Sequence, residues 1–183
     1  MDAADVTADL TETLFTRAQI AERITEIAAQ IDADYADKNP LLIGVLNGAV
    51  MVMSDLSRAL RIHCAMDWMA VSSFGMGTQS SGGVRIRKDL STAREGRHVL
   101  VVEDIIDTGL TLTYLMQNLA SRNPASLEIM TMFRKHGTAT SLVDLNYIGF
   151  DIPNEFVVGY GLDFAGRYRN LPEFGTTAPH ISS

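Results

Sequence analysis

Cysteine is almost absent from the sequence. Cys64 is the only cysteine among 183 residues, which excludes an intrachain disulfide framework and a cysteine-rich zinc site. A lone cysteine is most often a small buried side chain. This usage fits a reducing compartment, and the acidic N-terminus lacks the basic and apolar regions of a secretion signal. We therefore expect a cytoplasmic protein.

Basic residues and long apolar runs are also scarce. The 15 Lys and Arg against 22 Asp and Glu give a net charge of 15 − 22 = −7, whereas a dedicated nucleic-acid binder normally carries a basic stripe. No apolar run approaches the roughly 20 residues of a membrane-spanning helix. We expect neither a nucleic-acid partner nor a membrane. If such an acidic protein binds a polyanion, it needs a divalent cation, helix N-termini or a few placed basic side chains.

The chain alternates between helical and strand patterns. At 183 residues with 46% hydrophobic content, it is long enough for one domain with a proper core. A capping-box pattern at Thr16 and Gln19 begins the first amphipathic helix. Alternating units of this kind predict a parallel sheet covered by helices. The predicted elements are helices at 17–33 and 49–60, strands at 41–46, 65–72, 84–90, 126–133, 148–152 and 156–160, and a loose tail from Thr176.

The central stretch, residues 99–111, combines a strand, an acidic tip, a turn and a helix start. Its apolar, β-branched run is typical of a buried parallel strand, and we predict that the strand ends at Glu103 and Asp104. The turn contains one glycine and two threonines, and the helix N-terminus behind it offers unpaired N–H groups to a phosphate. The two carboxylates suit vicinal sugar hydroxyls and a Mg²⁺ shell. The stretch predicts a phosphosugar site, the alternative being an ordinary turn with solvated acids.

A second segment, residues 73–83, holds four glycines in eleven residues and has little to bury. One interpretation is a solvated hairpin loop. The other is a mobile lid with glycine hinges, because loops of this composition often close over a bound substrate. We predict a lid.

The central stretch resembles the motif with which type I phosphoribosyltransferases bind 5-phosphoribosyl diphosphate, in the form of their hypoxanthine-guanine branch. The matching residues are Val101-Val102-Glu103-Asp104-Ile105-Ile106-Asp107-Thr108-Gly109-Leu110-Thr111. Residues 149–163 are a second long match, and the resemblance extends from the first helix to Pro172. It implies a single α/β domain over residues 1–183. Such a domain has a mainly parallel five-stranded sheet flanked by helices and a small hood built from the N-terminal segment and the C-terminal strands.

The resemblance also implies an activity. The 5-phosphoribosyl group would pass from 5-phosphoribosyl 1-diphosphate to hypoxanthine or guanine, giving the purine ribonucleotide and diphosphate. The resemblance thus implies a purine-salvage transferase with a Mg²⁺ cofactor. The resemblance also implies a homodimer or a homotetramer.

Roles for individual residues follow from the same resemblance. Asp107 would be the catalytic base beside N7 of the purine, and the Leu46-Asn47 peptide is expected to be cis. Asn47 stands where the family often has a basic residue, and Phe74 where it usually has tyrosine. The residues implied for 5-phosphoribosyl diphosphate are Leu46, Asn47, Gly48, Ser73, Phe74, Glu103, Asp104, Asp107, Thr108, Gly109, Leu110, Thr111 and Arg169. Those for the purine are Ile105, Lys135, Phe156, Val157 and Asp163, and those for the metal are Glu103, Asp104 and Asp163.

Three alternatives remain open at this point. A pyrimidine-operon RNA-binding regulator shares the fold and motif, but it should carry a basic RNA face, which a net charge of −7 disfavours. A sister transferase could use xanthine or adenine. Lys135 favours an oxygen at C6 and so disfavours adenine, whereas xanthine differs only at C2. Finally, Asp107 could be a helix N-cap and not a base, because Asp is favoured at that position.

Overall fold

The computed structural model describes residues 1–73, 84–91, 95–136, 144–179 and 181. A short 3₁₀ turn at Ala3–Val6 precedes the first strand. The helices within the described ranges are α1 (Arg17–Asp34), α2 (Val50–Ala59) and α3 (Leu110–Ala120). The strands are β1 (Leu10–Phe15), β2 (Leu41–Leu46), β3 (Ala65–Ser73), β4 (Val84–Lys88), β5 (His98–Ile106), β6 (Ser126–Lys135), β7 (Tyr147–Ile152), β8 (Val157–Gly159) and β9 (Phe174–Thr177).

The main sheet has the strand order β4-β3-β2-β5-β6-β7. Five neighbouring strands of this sheet run parallel, namely β3, β2, β5, β6 and β7, while β4 joins the edge antiparallel to β3. The predicted α/β class with a mainly parallel sheet is confirmed, with β4 as a sixth strand beside the five expected. After β2 the chain adds β3 on one side, and after β5 it adds β6 on the other. The topological switch point therefore lies between β2 and β5, where open α/β sheets bind ligands.

Helices cover both faces of this sheet because the central strands are apolar on both sides. Leu42, Leu100 and Val102 face α1 and α2, while Val99 and Val101 face α3. Successive side chains of a strand point to opposite faces, so each strand contributes to both cores. This double burial fixes β2 and β5 side by side and gives the edge at their carboxyl ends a defined geometry.

A second, three-stranded antiparallel sheet has the order β1-β9-β8 and combines the N-terminal segment with the C-terminal strands. Stacked aromatic side chains attach this sheet to the main sheet. Phe174 is fully buried and stacks on Phe133 with 3.7 Å between ring centroids, and Phe15 stacks on Phe150 at 3.9 Å. The prediction of a loose tail from Thr176 is wrong for its first residues. Thr176 lies within β9 and is buried there between β1 and β8.

The central strand is longer than predicted. We expected it to end at Glu103 and Asp104, but β5 continues through Ile106. Ile105 pairs with Phe133 and Ile106 with Arg134 of β6, so the ladder does not stop at the acids. The prediction was wrong because the two isoleucines can still pair and pack. As a consequence, the acidic residues lie inside a strand of the sheet.

Candidate active site

Three neighbouring strands bring the predicted site residues to one edge of the sheet. The turn Asn47-Gly48 follows β2, the acidic stretch from Glu103 to Asp107 spans the end of β5, and Lys135 is the last residue of β6. Since β2, β5 and β6 are adjacent and parallel, these groups meet at the carboxyl edge, at the switch point of the sheet.

Two cavities adjoin along the end of β5. Because neighbouring side chains of a strand point to opposite faces, Glu103 lines one cavity and Asp104 the other, and Ile105 lines both. The first cavity has a volume of about 160 Å³ and is also lined by Ile106, Asp107, Thr108, Gly109, Thr111 and Leu112. The second has a volume of about 270 Å³ and is also lined by Asn47, Gly48, Leu162, Asp163 and Arg169.

Burial disfavours the ionised form of both strand carboxylates. Only 8% of Glu103 is exposed, and burial, followed by the neighbouring Asp104 charge, raises the pKa of Glu103 well above its usual range. Burial likewise raises the pKa of Asp104 to about 6, although nearby Arg169 opposes the shift and Asp163 adds to it. A bound cation or hydroxyl donor would relieve this desolvation, since both interactions favour the ionised form.

The first cavity is suited to an anion. Gly109 is the N-cap of α3 with φ = 74°, and no side-chain hydrogen bond from the described residues caps the helix. The first N–H groups of a helix have no intrahelical partner, so those of α3 remain available at the cavity wall. The helix dipole favours a negative ligand at the same place. Asp107 precedes the N-cap by two residues, so the N-cap alternative for Asp107 is wrong.

The second cavity depends on two glycines. The Leu46-Asn47 peptide bond is cis, as the resemblance implies. A Cβ atom on Gly48 would lie 1.5 Å from Oδ2 of Asp104, and a Cβ on Gly161 would lie 2.2 Å from the carbonyl oxygen of Gly48. Gly161 also has φ = 103°, which disfavours other residues. These absent side chains let the turn after β2, the end of β5 and the C-terminal segment converge.

Arg169 and Asp163 form one hydrogen-bonded unit in this cavity. Nη2 of Arg169 donates to Oδ1 of Asp163 at 2.5 Å, and Nη1 donates to the carbonyl oxygen of Gly161. The other oxygen of Asp163 accepts from the backbone N–H of Gly166 at 2.9 Å. The guanidinium is thus oriented beside the Asn47-Gly48 turn, and its charge is partly balanced by Asp163.

Asp107 and Lys135 also lie together, at the carboxyl ends of β5 and β6. Nζ of Lys135 donates to Oδ2 of Asp107 at 3.2 Å, with the lysine side chain 14% exposed and the aspartate 50% exposed. Phe156 is 44% exposed and contacts Phe164 edge-to-face, with 5.5 Å between centroids. The prediction of a strand from Phe156 is wrong by one residue, because β8 begins at Val157, which is buried.

The metal site implied by the resemblance would use three acids, Glu103, Asp104 and Asp163. The structure does not bring them into one cluster, and none of its described residues form a group of three or more metal-ligating side chains. Asp104 and Asp163 line the same cavity, whereas Glu103 lines the neighbouring one. Two carboxylates in an open cavity fit Mg²⁺, which usually keeps several waters and is bound by one or two carboxylates together with substrate phosphates.

Most of the predicted lid at 73–83 lies outside the described residues, including Phe74. Its first residue, Ser73, is the last residue of β3. Sequence reasoning missed Gly161, although the glycine pair Gly159 and Gly161 in the second matching stretch was a signal for an unusual backbone. It also missed the pairing of Arg169 with Asp163.

Known proteins are similar to this chain in sequence and in fold. A family model of the phosphoribosyl transferase domain matches residues 11–165. The hypoxanthine-guanine phosphoribosyltransferase of Mycobacterium tuberculosis is 49% identical over 179 residues, covering 94% of this chain and 89% of the relative. The chain belongs to the hypoxanthine-guanine phosphoribosyltransferase family. The resemblance of residues 101–111 and 149–163 to that family is thereby confirmed.

Solved structures of the family agree with the fold. A hypoxanthine phosphoribosyltransferase from Staphylococcus aureus superimposes with a TM-score of 0.93 at 42% identity, covering 98% of this chain and 97% of that one. A hypoxanthine-guanine-xanthine phosphoribosyltransferase gives a TM-score of 0.85 at 44% identity, covering 93% and 98%. In the part of the chain that the structure describes, no helix is long and apolar enough to cross a membrane.

The buried acids predict a pH-dependent stability. The pKa of Asp104 is raised in the folded state to about 6. The contribution of Asp104 to the free energy of unfolding is therefore fully present below its unfolded pKa of about 4, and it is lost as pH rises through about 6. Asp104→Asn removes the buried charge. Without divalent cations, the variant should exceed the parent protein in free energy of unfolding at about pH 7.5, on the order of 2 kcal/mol, and by less at about pH 5. Urea unfolding at both pH values measures the difference.

Asp151→Asn is the matched control. The Arg134 guanidinium lowers the pKa of Asp151 below its usual range, so its carboxylate is ionised at both pH values. Its substitution should change stability equally at both. A difference between Asp104→Asn and the parent that does not vary with pH would contradict the buried-charge explanation.

Proposed function

We propose that the protein transfers the 5-phosphoribosyl group from 5-phosphoribosyl 1-diphosphate to hypoxanthine or guanine, in purine salvage. One observation carries the proposal. The carboxylates of Glu103 and Asp104 lie between a helix N-terminus without a side-chain cap on one side and an arginine with a glycine turn on the other. The donor has the same order of groups, with a phosphate, a pentose with two hydroxyls, and a diphosphate. The family relatives support the same reaction by their names.

The donor would bind along the two cavities. The backbone N–H groups from Thr108 to Thr111, with the threonine hydroxyls, suit the 5-phosphate at the start of α3. Glu103 and Asp104 suit the ribose hydroxyls because carboxylates accept hydrogen bonds strongly. The backbone of Asn47-Gly48 and the guanidinium of Arg169 suit the diphosphate, Arg169 through bidentate geometry. Since Asn47 carries no charge, Arg169 is the principal cation at this end.

Mg²⁺ is the proposed cofactor. Asp104 and Asp163 would hold it from within the second cavity, with Glu103 adding negative charge from the other side of β5. When bound, Mg²⁺ neutralises charge on the leaving diphosphate. Raised pKa values at Glu103 and Asp104 support this role, because a divalent cation favours the ionised carboxylates that burial disfavours.

The purine would lie over Ile105, against the exposed ring of Phe156 and the backbone of Val157. Lys135 would donate a charge-assisted hydrogen bond to the oxygen at C6, which both hypoxanthine and guanine carry. Adenine presents a donor at that position and is disfavoured. Xanthine remains a candidate substrate because one structural relative is named for it.

In the proposed reaction, the bond from the anomeric carbon to the diphosphate oxygen breaks and a bond to N9 of the purine forms. The carbon becomes cationic at the transition state, and the negative field of Glu103 and Asp104 favours that charge. The purine ring must then lose a proton, and Asp107 would accept it at N7. The contact between Asp107 and Lys135 supports these two roles, because C6 and N7 of a purine are both bonded to C5 and so lie close together.

We also propose a homodimer or homotetramer in the cytoplasm. The oligomer is proposed from the resemblance to the family. The single cysteine, which is typical of a reducing compartment, supports the location.

The function is tested by steady-state kinetics with 5-phosphoribosyl diphosphate and each of four purines. Hypoxanthine and guanine should react, adenine should not, and xanthine decides the breadth at C2. Removing divalent cations with a chelator should abolish turnover, and added Mg²⁺ should restore it. An inactive protein with all four purines and Mg²⁺ would overturn the proposal, and full activity in excess chelator would remove the metal from it.

The role of Asp107 is tested by Asp107→Asn, which keeps the size of the side chain but cannot accept the proton. We expect kcat to fall about 10²–10⁴-fold, the usual contribution of a general base. The Kd for 5-phosphoribosyl diphosphate and the melting temperature should change little, because Asp107 is half exposed and does not cap α3.

Asp151→Asn is again the control, since Asp151 pairs with Arg134, the residue before Lys135. It should leave kcat within about twofold of the parent, the scale of a surface change. A near-normal kcat for Asp107→Asn would assign the proton transfer to another group or to water.

A further inference from the structure

Arg169 is located between two cavities. In front of it lies the site cavity of about 270 Å³. Behind it lies a larger cavity of about 650 Å³ between α1, α2 and the C-terminal segment, which Arg169 also lines together with Tyr160 and Asp55. A side chain with open space on two sides is not fixed by close packing. Its position must therefore depend on the hydrogen bonds of the segment that carries it.

One of these bonds ties that segment to α2. The hydroxyl of Tyr160 donates to Oδ2 of Asp55 at 2.8 Å. Tyr160 is 6% exposed and has φ = 47°, an uncommon backbone conformation for a residue with a side chain. The other oxygen of Asp55 pairs with Nη2 of Arg58 at 2.5 Å. Because burial and the Asp55 carboxylate raise the pKa of Tyr160, its hydroxyl remains a donor at neutral pH.

Tyr160 is followed at once by the residue that contacts the turn. Gly161 lies so close to the carbonyl oxygen of Gly48 that a Cβ atom would be 2.2 Å away, and its own carbonyl accepts from Arg169. The helix α2 begins at Val50, directly after the turn. The bond between Tyr160 and Asp55 therefore closes a ring of contacts, which runs from the turn through α2, Tyr160 and Gly161 back to the turn. Arg169 is attached to this ring through its hydrogen bond to Gly161.

We propose that Tyr160 and Asp55 are positioning residues for the diphosphate end of the site. They hold Arg169 at a fixed distance from the Asn47-Gly48 turn, and this proposal rests on the proposed function. Neither side chain lines the cavity in front of Arg169, so their action passes through the backbone of Gly161. Loss of the bond should weaken binding of groups that carry a diphosphate and leave purine binding unchanged, because Phe156 and Lys135 lie outside the ring of contacts.

Tyr160→Phe tests the proposal, since it removes one oxygen atom and keeps the ring. We expect KM for 5-phosphoribosyl diphosphate to rise about 3- to 10-fold, the scale of one lost hydrogen bond. The Kd for diphosphate with Mg²⁺, measured by calorimetry, should rise similarly. The KM for hypoxanthine and kcat should stay within about twofold. Asp55→Asn keeps an oxygen that can accept from Tyr160 and should bind the donor better than Asp55→Ala.

Tyr147→Phe is the matched control. The hydroxyl of Tyr147 donates to Asp34 at 2.7 Å, and the residue is 5% exposed. Because β7 begins at Tyr147, this residue lies at the amino ends of the parallel strands, opposite the site. It should lower the melting temperature about as much as Tyr160→Phe while leaving both KM values unchanged. An unchanged donor KM in Tyr160→Phe, or equal kinetic changes in both variants, would overturn the proposal. Absence of activity in the parent protein would instead contradict the proposed function.

Discussion

Two adjacent carboxylates near the carboxyl end of the central strand, Glu103 buried and Asp104 half-buried, constrain the rest of this structure. Glu103 and Asp104 lie within β5, between strands buried on both faces, and their burial raises both pKa values. Gly48 has no side chain because Asp104 occupies the space that a Cβ would need. Gly161 must also lack a side chain, because a Cβ atom there would collide with the carbonyl oxygen of Gly48. The shape of the site cavity therefore follows from where the acids lie.

The same burial shapes the electrostatics. Among the described residues, two cations lie at the site and each contacts a carboxylate: Arg169 contacts Asp163, and Lys135 contacts Asp107. In a protein with a net charge of −7, these pairs keep the cations oriented without leaving a charge buried and unpaired. A polyanionic donor would then bind to groups that are already in position. In the proposed reaction, the carboxylates Asp107 and Asp163 become available for the proton and the metal as their partners engage the substrate.

Local patterns predicted most of the helices and strands, and the family resemblance named the candidate site residues. The capping box forms as the sequence indicates, with Gln19 N–H donating to Thr16 at 3.3 Å and Thr16 N–H donating to Gln19 at 2.9 Å. The strand at 41–46 has the predicted bounds. Alternation of strands and helices implied the parallel sheet, and the carboxyl ends of parallel strands share one edge. That rule explains why residues from three separate stretches meet.

Long-range contacts were beyond such patterns. The pairing of β1 with β9 joins residues near both ends of the chain, and no local periodicity encodes it, so the buried state of Thr176 was missed. The bond between Asp55 and Tyr160 joins residues 105 positions apart, which spacing cannot reveal. The true end of β5 depended on pairing with β6. In each case a partner in space decides the conformation, whereas a sequence pattern reports only on neighbours along the chain.

The central claim is that desolvation at the end of β5 disfavours the charge of Asp104 more than its neighbours favour it, and carboxyl carbon-13 NMR tests this most directly. The Asp104 signal can be assigned by its absence from the spectrum of Asp104→Asn, and its chemical shift followed against pH in the protein free of divalent cations. The structure predicts a titration midpoint near pH 6, moving lower when Mg²⁺ and diphosphate are added. A midpoint near the ordinary aspartate value of about 4 in the free protein would contradict the account.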